Sequence, residues 1–219
     1  GAGADGQGVI VNRSGVQQIY ALGNLELAGD ATFGGLSRWD IRNGTFTMNN
    51  HSVTKKGGAA LGLSGTETVT PGGDSALIDV QEGSLRLQQS LQMGGSAANT
   101  VSLGSGTAIE FYDLVNQPAW SLVCEDNTRY NVSKGALDTQ NNWAGPVTLN
   151  GGTLYLTGDT SVRGGISGEI SGSGSLCLTN ASASVNPYFL ITGTNNTYSG
   201  TTRVVGGWLY VNSLRNVGE

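Results

Sequence analysis

Charge is scarce in this chain: Asp, Glu, Lys and Arg make up 12% of 219 residues, and the net charge is −5. The eleven Lys and Arg are scattered, and the adjacent pair Lys55-Lys56 is too small to form a basic patch. Nothing here would neutralise a run of phosphates, which excludes a nucleic-acid partner. Long apolar runs are also missing. No stretch approaches the roughly 18 residues that span a bilayer, and no charged segment followed by an apolar one opens the chain as a signal peptide would. No membrane insertion by this segment is therefore expected.

Histidine occurs once, at His51 in the turn-like Asn50-His51-Ser52, and no G-x-S-x-G, P-loop or EF-hand loop accompanies it. GAGADG at residues 1–6 satisfies G-x-G-x-x-G by letter, but no strand precedes it and no helix follows. PGGDSALID, from Pro71, lacks the repeated frame of a calcium-binding glycine repeat. The two cysteines, Cys124 and Cys177, have no metal-ligand spacing. They read as small buried side chains; a disulfide between them is the alternative and would require an exported protein. No catalytic residue, metal ligand or cofactor is assigned.

What the chain does have is glycine and alternation. Its 36 glycines are too aperiodic for collagen, and 37% apolar residues is too many for disorder. GGTLYLTG from Gly151, GSGSLCLTN from Gly172 and GGWLYVNS from Gly206 each place a glycine turn before a run in which apolar residues alternate. Period 2 puts Leu154/Leu156, Leu176/Leu178 and Leu209/Val211 on one strand face. Earlier runs obey the same rule: Asn24-Leu25-Glu26-Leu27, Trp39-Asp40-Ile41-Arg42, and those beginning at Gly58, Gly83 and Gly106. The turn residues at 24, 44, 83, 106, 152, 174 and 207 are mostly spaced by 20 to 23 residues or twice that. No segment has a helical period. This predicts an all-β solenoid of roughly ten coils, whose equivalent strands pair in parallel and bury their apolar faces only by stacking. Residues 1–219 read as one such domain, and the abrupt ends read as a piece of something longer. Uncapped ends would expose unpaired strand edges and favour end-to-end self-association, which a strictly monomeric sedimentation profile at high concentration would contradict.

Within 143–212 the motifs resemble a known family. Asn196-Thr197-Tyr198-Ser199-Gly200-Thr201-Thr202, followed by a strand and Gly207-Trp208-Leu209, resembles the N-x-Y-x-G-x-T core and G-x-L of the autotransporter-associated β-strand repeat. Ile166-Ser167-Gly168 with Gly172-Ser173-Gly174-Ser175-Leu176 is similar to its lead-in, and Trp143-Ala144-Gly145-Pro146-Val147-Thr148-Leu149 to the segment that opens such units. The resemblance is looser over 20–57 and poor over 110–142. It implies a right-handed, single-stranded parallel β-helix, secreted or held at the bacterial cell surface. The two cysteines depart from that pattern, and no membrane barrel is present in the sequence.

The spacing breaks at 110–142, which reads as a loop excursion from the rod, and such excursions commonly carry binding sites. Tyr112, Asp113, Trp120, Glu125, Asp126, Arg129 and Tyr130 gather there with Glu110 and form the candidate ligand-binding set. Aromatic rings offer flat faces for sugars, and paired carboxylates at the right separation cleave glycosidic bonds. The plainer reading is solvated acids and a Trp120 that covers the edge of the stack. Trp39, Trp143 and Trp208 lie in or beside repeat strands and are expected to pack in the core or at corners. Three functions follow: a structural or adhesive rod, which is the leading expectation; a carbohydrate-binding accessory module; and, less favoured, a polysaccharide lyase or glycoside hydrolase. The partners expected are glycans or host surface molecules.

Overall fold

A computed structural model describes residues 1–135, 140–158, 163–180 and 187–212. Every pairing between strands is parallel, and the described residues contain no helix, hence none long and apolar enough to cross a membrane. The chain winds as a three-sided solenoid. One side is an eight-stranded sheet running from Ile10–Asn12 to Ile170–Gly172, and the second a nine-stranded sheet from Gln18–Leu22 to Thr202–Val204. The third side is split into two four-stranded sheets, one spanning Leu25–Glu26 to Gln92–Met93 and the other Asn142–Trp143 to Trp208–Val211.

Each coil visits the three sides in that order. Partners in successive coils are 21 residues apart at Ile109 and Tyr130 and 26 apart at Leu176 and Thr202. Several coils exceed the 20 to 23 residues read from the turn spacing, and the chain makes about eight turns rather than ten. At the parallel strand spacing, eight turns rise about 40 Å.

Alternation is realised as stacked columns. On the first side Ala31, Val53, Ile78, Val101, Leu122, Val147 and Ile170 lie in register and point inward. On the second, Trp39, Leu61, Leu85, Ile109, Tyr130, Leu156 and Leu178 do the same. All are buried, and this shared core provides the main drive to fold, since no coil can bury its apolar face alone. Cys124 faces inward in a neighbouring column of the first side, whereas Cys177 faces outward on the second; both are free and buried. Burial pushes the Cys124 thiol up to about 12, so it behaves as an inert apolar side chain.

The corners are stitched from coil to coil by short polar side chains. Entering the first side, Asp30 Oδ1 accepts from the Ser52 N–H (2.9 Å), Asn50 Oδ1 from Ser75 (2.8 Å), Asn99 Oδ1 from Ala76 (3.0 Å) and Asn196 Oδ1 from Ile170 (2.8 Å). These satisfy backbone donors that turn away from the ladders. The Asn-rich turns are thus structural, and Asn43, Asn49, Asn50, Asn127, Asn141 and Asn195 also take the positive φ their bends need.

The glycines of the repeated motif have a different cause. Gly145, Gly168 and Gly193 stack at one corner: a Cβ on Gly168 would lie 1.8 Å from the Gly145 carbonyl oxygen, and one on Gly193 2.2 Å from that of Gly168. Gly200 stands in the same relation to Gly174, at 2.2 Å. Backbone meets backbone there, and the spacing between coils leaves no room to yield. Gly168→Ala is expected to destabilise the protein by about 3 kcal/mol. Gly29→Ala, where the added carbon meets nothing within 4 Å, is expected to change stability by less than about 0.5 kcal/mol. Urea unfolding followed by far-UV circular dichroism checks both; similar midpoints for the two variants would refute the packing argument.

Residues 110–142 do not leave the rod as a loop excursion, except that 136–139 lie outside the described residues. They supply the strands Ser121–Cys124 and Thr128–Lys134, each paired on both sides. The irregularity is real but lies elsewhere. Residues 113–120 carry no strand, and the third side is interrupted there. Asn116 Nδ2 donates to the Ser90 and Leu91 carbonyls (both 3.0 Å), and Asn141 Oδ1 accepts from the Leu114 N–H (3.0 Å), so side chains bridge the missing ladder.

Candidate functional site

The structure separates the sequence-predicted site residues. Trp120 is fully buried, with Nε1 donating to the Gly94 carbonyl at 2.6 Å, and is removed from any ligand surface. Tyr130 is also fully buried. It stacks on Phe111 with ring centroids 4.3 Å apart, and its hydroxyl, with one proton to donate, lies between the Asn141 and Gly165 carbonyl oxygens at 2.6 and 2.8 Å. Burial pushes its pKa well above the usual phenol range. Both residues are core parts that tie three coils together. Glu125 accepts from Asn150 Nδ2 (2.9 Å) and Asp126 from the Thr153 N–H (3.0 Å), so this acidic pair is a corner stitch.

Tyr112, Asp113 and Arg129 remain at the surface, on or beside the outer face of the second side. Strand alternation puts Asp40, Arg86, Glu110, Arg129, Asn131, Tyr155 and Thr157 on that face, opposite the inward column. Arg38 and Arg42 both hold the fully buried Asp40 carboxylate, Arg38 through two bonds of 2.7 and 2.6 Å and Arg42 at 3.1 Å. Arg86 lies 3.5 Å from Glu110, donates to Ser133 Oγ (3.0 Å) and sits over the Tyr112 ring at 5.4 Å. Lys134 covers the same ring at 5.2 Å and pairs with Asp113 at 2.7 Å; that bond raises the Lys134 pKa. Arg203, in register with Cys177, lies further along the same face. This one face therefore carries Arg38, Arg42, Arg86, Arg129, Lys134 and Arg203, about half the cations of an acidic chain.

A cleft of about 650 Å³ opens on this face, lined by Glu110, Asn127, Arg129, Asn131, Tyr155 and Thr157 among others. Its floor is low because Ala108, in register with Arg129, has a short side chain. Sequence reasoning found Arg129 but missed Asn131, Tyr155 and Thr157. The signal that groups them is register, which joins residues two dozen positions apart.

A second surface lies on the outer face of the third side. Tyr188 is in register with Arg163 and Trp208, and Leu190 with Tyr210. The Arg163 guanidinium sits 5.2 Å from the Tyr188 ring centroid. Trp208 is 59% exposed and Tyr210 50%. Trp39 and Trp143 pack in the core as expected, but Trp208 does not.

Comparison with protein-family models, curated proteins and solved structures finds no match. The chain is known by its fold. It is a parallel β-solenoid. Among the described residues of this solenoid, no group of three or more His, Cys, Asp or Glu is placed to hold a metal ion. His51 Nδ1 faces the Asp30 carboxylate at 3.6 Å on an exposed corner.

Proposed function

We propose that this solenoid is a structural rod module of a secreted or cell-surface bacterial protein, of the passenger type that the Asn196–Thr202 motif resembles. The observation that carries the reading is the unbroken run of two parallel sheets, eight and nine strands long, around one shared core. Such an object is stiff along its axis, because every coil is held to the next by backbone ladders and corner side chains. It unfolds coil by coil, because each coil contacts only its neighbours. The buried parts of the motif fit this role. Tyr198 is fully buried with its hydroxyl against Thr202 Oγ1 (2.5 Å), and Asn196 stitches the preceding coil.

Pulling single molecules from both ends is expected to extend the chain in steps of about 75–80 Å, the contour length of one coil of 23 residues. Collapse of the whole chain in a single low-force event would refute the rod.

The cleft on the second side supports a second reading, a carbohydrate-binding module. It combines amides, hydroxyls and a tyrosine ring on a rigid sheet, the chemistry by which a polyol with apolar ring faces is held. Selective glycan-array binding that disappears in Tyr155→Ala supports this reading. Absence of binding across the array leaves the rod alone.

A further inference from the structure

Arg129 is the distinctive residue of the cleft. It projects from the middle of the second side into open space, and its guanidinium has no hydrogen-bond or ion-pair partner among the described residues. Of the other cations of this face, Arg38 and Arg42 are engaged by Asp40, Arg86 by Glu110 and Ser133, and Lys134 by Asp113, while Arg203 lies further along the face and does not line the cleft. The one carboxylate that lines the cleft, Glu110, is faced by Arg86, so its charge is balanced without Arg129. The cleft is left with one uncompensated, forked cation. A guanidinium in that condition is suited to a planar carboxylate, which it binds through two parallel hydrogen bonds.

The surroundings specify what carries that carboxylate. Arg129 lies in register with Tyr155, and Asn131 with Thr157, in adjacent coils. The two rows lie two residues apart along their strands, about 6.7 Å. One row offers the cation and an aromatic face with a polar tip; the other offers an amide and a hydroxyl. Thr157 Oγ1 donates to Asn131 Oδ1 (3.0 Å), which fixes the amide with its two N–H donors free to face the cleft. Asn127 and Thr179 add another amide and hydroxyl. At the wall, Asn180 has an Oδ1 that is buried and accepts no hydrogen bond among the described residues. An orphan acceptor of that kind costs free energy, which a donor supplied by a ligand would offset. A fatty acid would leave these polar groups unmatched. A phosphate would find only one free cation.

The geometry points to a carboxylate-bearing saccharide, a uronic-acid unit in a glycan chain, with its carboxylate on Arg129, a ring face on Tyr155 and its hydroxyls on the amide and hydroxyl row. This inference rests on the carbohydrate-binding reading and adds the charge of the ligand to it. The acidic chain as a whole repels such a polymer, so the cationic face also sets the orientation of approach.

Isothermal titration calorimetry at low salt tests it, with oligogalacturonate, its full methyl ester, and sulfated dextran oligosaccharides as ligands. The expected result is binding of oligogalacturonate that weakens about tenfold on esterification. Arg129→Gln is expected to weaken oligogalacturonate about tenfold and leave the ester within about twofold, whereas Tyr155→Ala weakens both. Both side chains face solvent, and unchanged circular dichroism confirms that the variants fold. Equal affinity for acid and ester overturns the carboxylate assignment but leaves carbohydrate binding standing. Binding of the sulfated chain without oligogalacturonate overturns it in favour of sulfate. No binding of any of the three overturns the acidic-saccharide assignment, and the glycan array then decides separately whether other sugars are recognised.

Discussion

Trp143→Ala is expected to destabilise the protein by about 4 kcal/mol, while Trp208→Ala costs less than about 1 kcal/mol. The two tryptophans occupy similar places in the coil, each in a short strand of the third side, Asn142–Trp143 and Trp208–Val211. Trp143 is fully buried where the third side resumes after its interruption. Its Nε1 donates to the Trp120 carbonyl at 2.9 Å, and its ring meets Phe111 edge-on at 6.5 Å. Truncation leaves a large cavity and an unpaired carbonyl at a point where side-chain packing replaces the strand ladder. Trp208 faces outward, and its removal empties no core space. Unfolding in urea read by far-UV circular dichroism distinguishes them, since the signal does not depend on the tryptophan removed. Equal losses in the two variants would refute the assignment of faces.

Lys55→Ala is expected to cost about 3 kcal/mol or more. Lys55 stands in an inward column of the first side, between Phe33 and Val80. Its ammonium is buried and donates to three carbonyls at the corner: Lys56 (3.1 Å), Gly57 (2.6 Å) and Glu82 (2.7 Å). The Glu82 carboxylate closes the same corner by accepting from the Gly57 N–H at 2.8 Å. Alanine would strand three acceptors and remove the stem that fills the column. Methionine restores the stem alone and is expected to recover part of the loss.

The same burial makes the site sensitive to pH. Desolvation lowers the Lys55 pKa from 10.5 to about 8, against the opposing pull of Glu82. Between those values the unfolded chain holds a proton that the folded chain has released, so stability rises with pH across this window and is lost again as pH falls through 8. The gain is bounded at about 3 kcal/mol by the size of the shift. Other groups titrate in the same range, so the comparison is with Lys55→Met, which is expected to lack this component. Parallel pH profiles for wild type and Lys55→Met between pH 8 and 10.5 would show that the ammonium is not held as described.

Several parts of this molecule were legible before its structure. The alternation at Leu154/Leu156 and Leu176/Leu178 gives strands with one buried face, and both pairs are in the core. The approximate coil length follows from turn residues, and parallel pairing follows from repetition itself. Even the separation of Arg129 from Tyr130 was within reach: Thr128, Tyr130 and Val132 alternate with Arg129 and Asn131, so a ring and a cation adjacent in sequence point to opposite sides of a sheet.

Other features resisted reading for identifiable reasons. Lys55 and Lys56 look like two surface charges, because their side-chain type says nothing about three carbonyls gathered from a corner and the next coil. Glu125 and Asp126 look like an acid pair poised for chemistry, but they bond to Asn150 and Thr153 one coil later. Trp120 looks like an exposed binding ring in an irregular stretch, yet the irregularity is a missing third-side strand and the ring fills the space behind it.

The sequence by itself determined an all-β chain that coils, because strand alternation and turn chemistry are local properties of the backbone and its side chains. Only the tertiary structure decided which residues stack. Register accumulates over coils of unequal length, such as 20 residues between Tyr188 and Trp208 and 26 between Leu176 and Thr202, and a shift of one position turns a side chain from core to solvent. That register places Trp143 inside and Trp208 outside. It also sets Arg129 beside Tyr155 over the short side chain of Ala108, where the cleft forms.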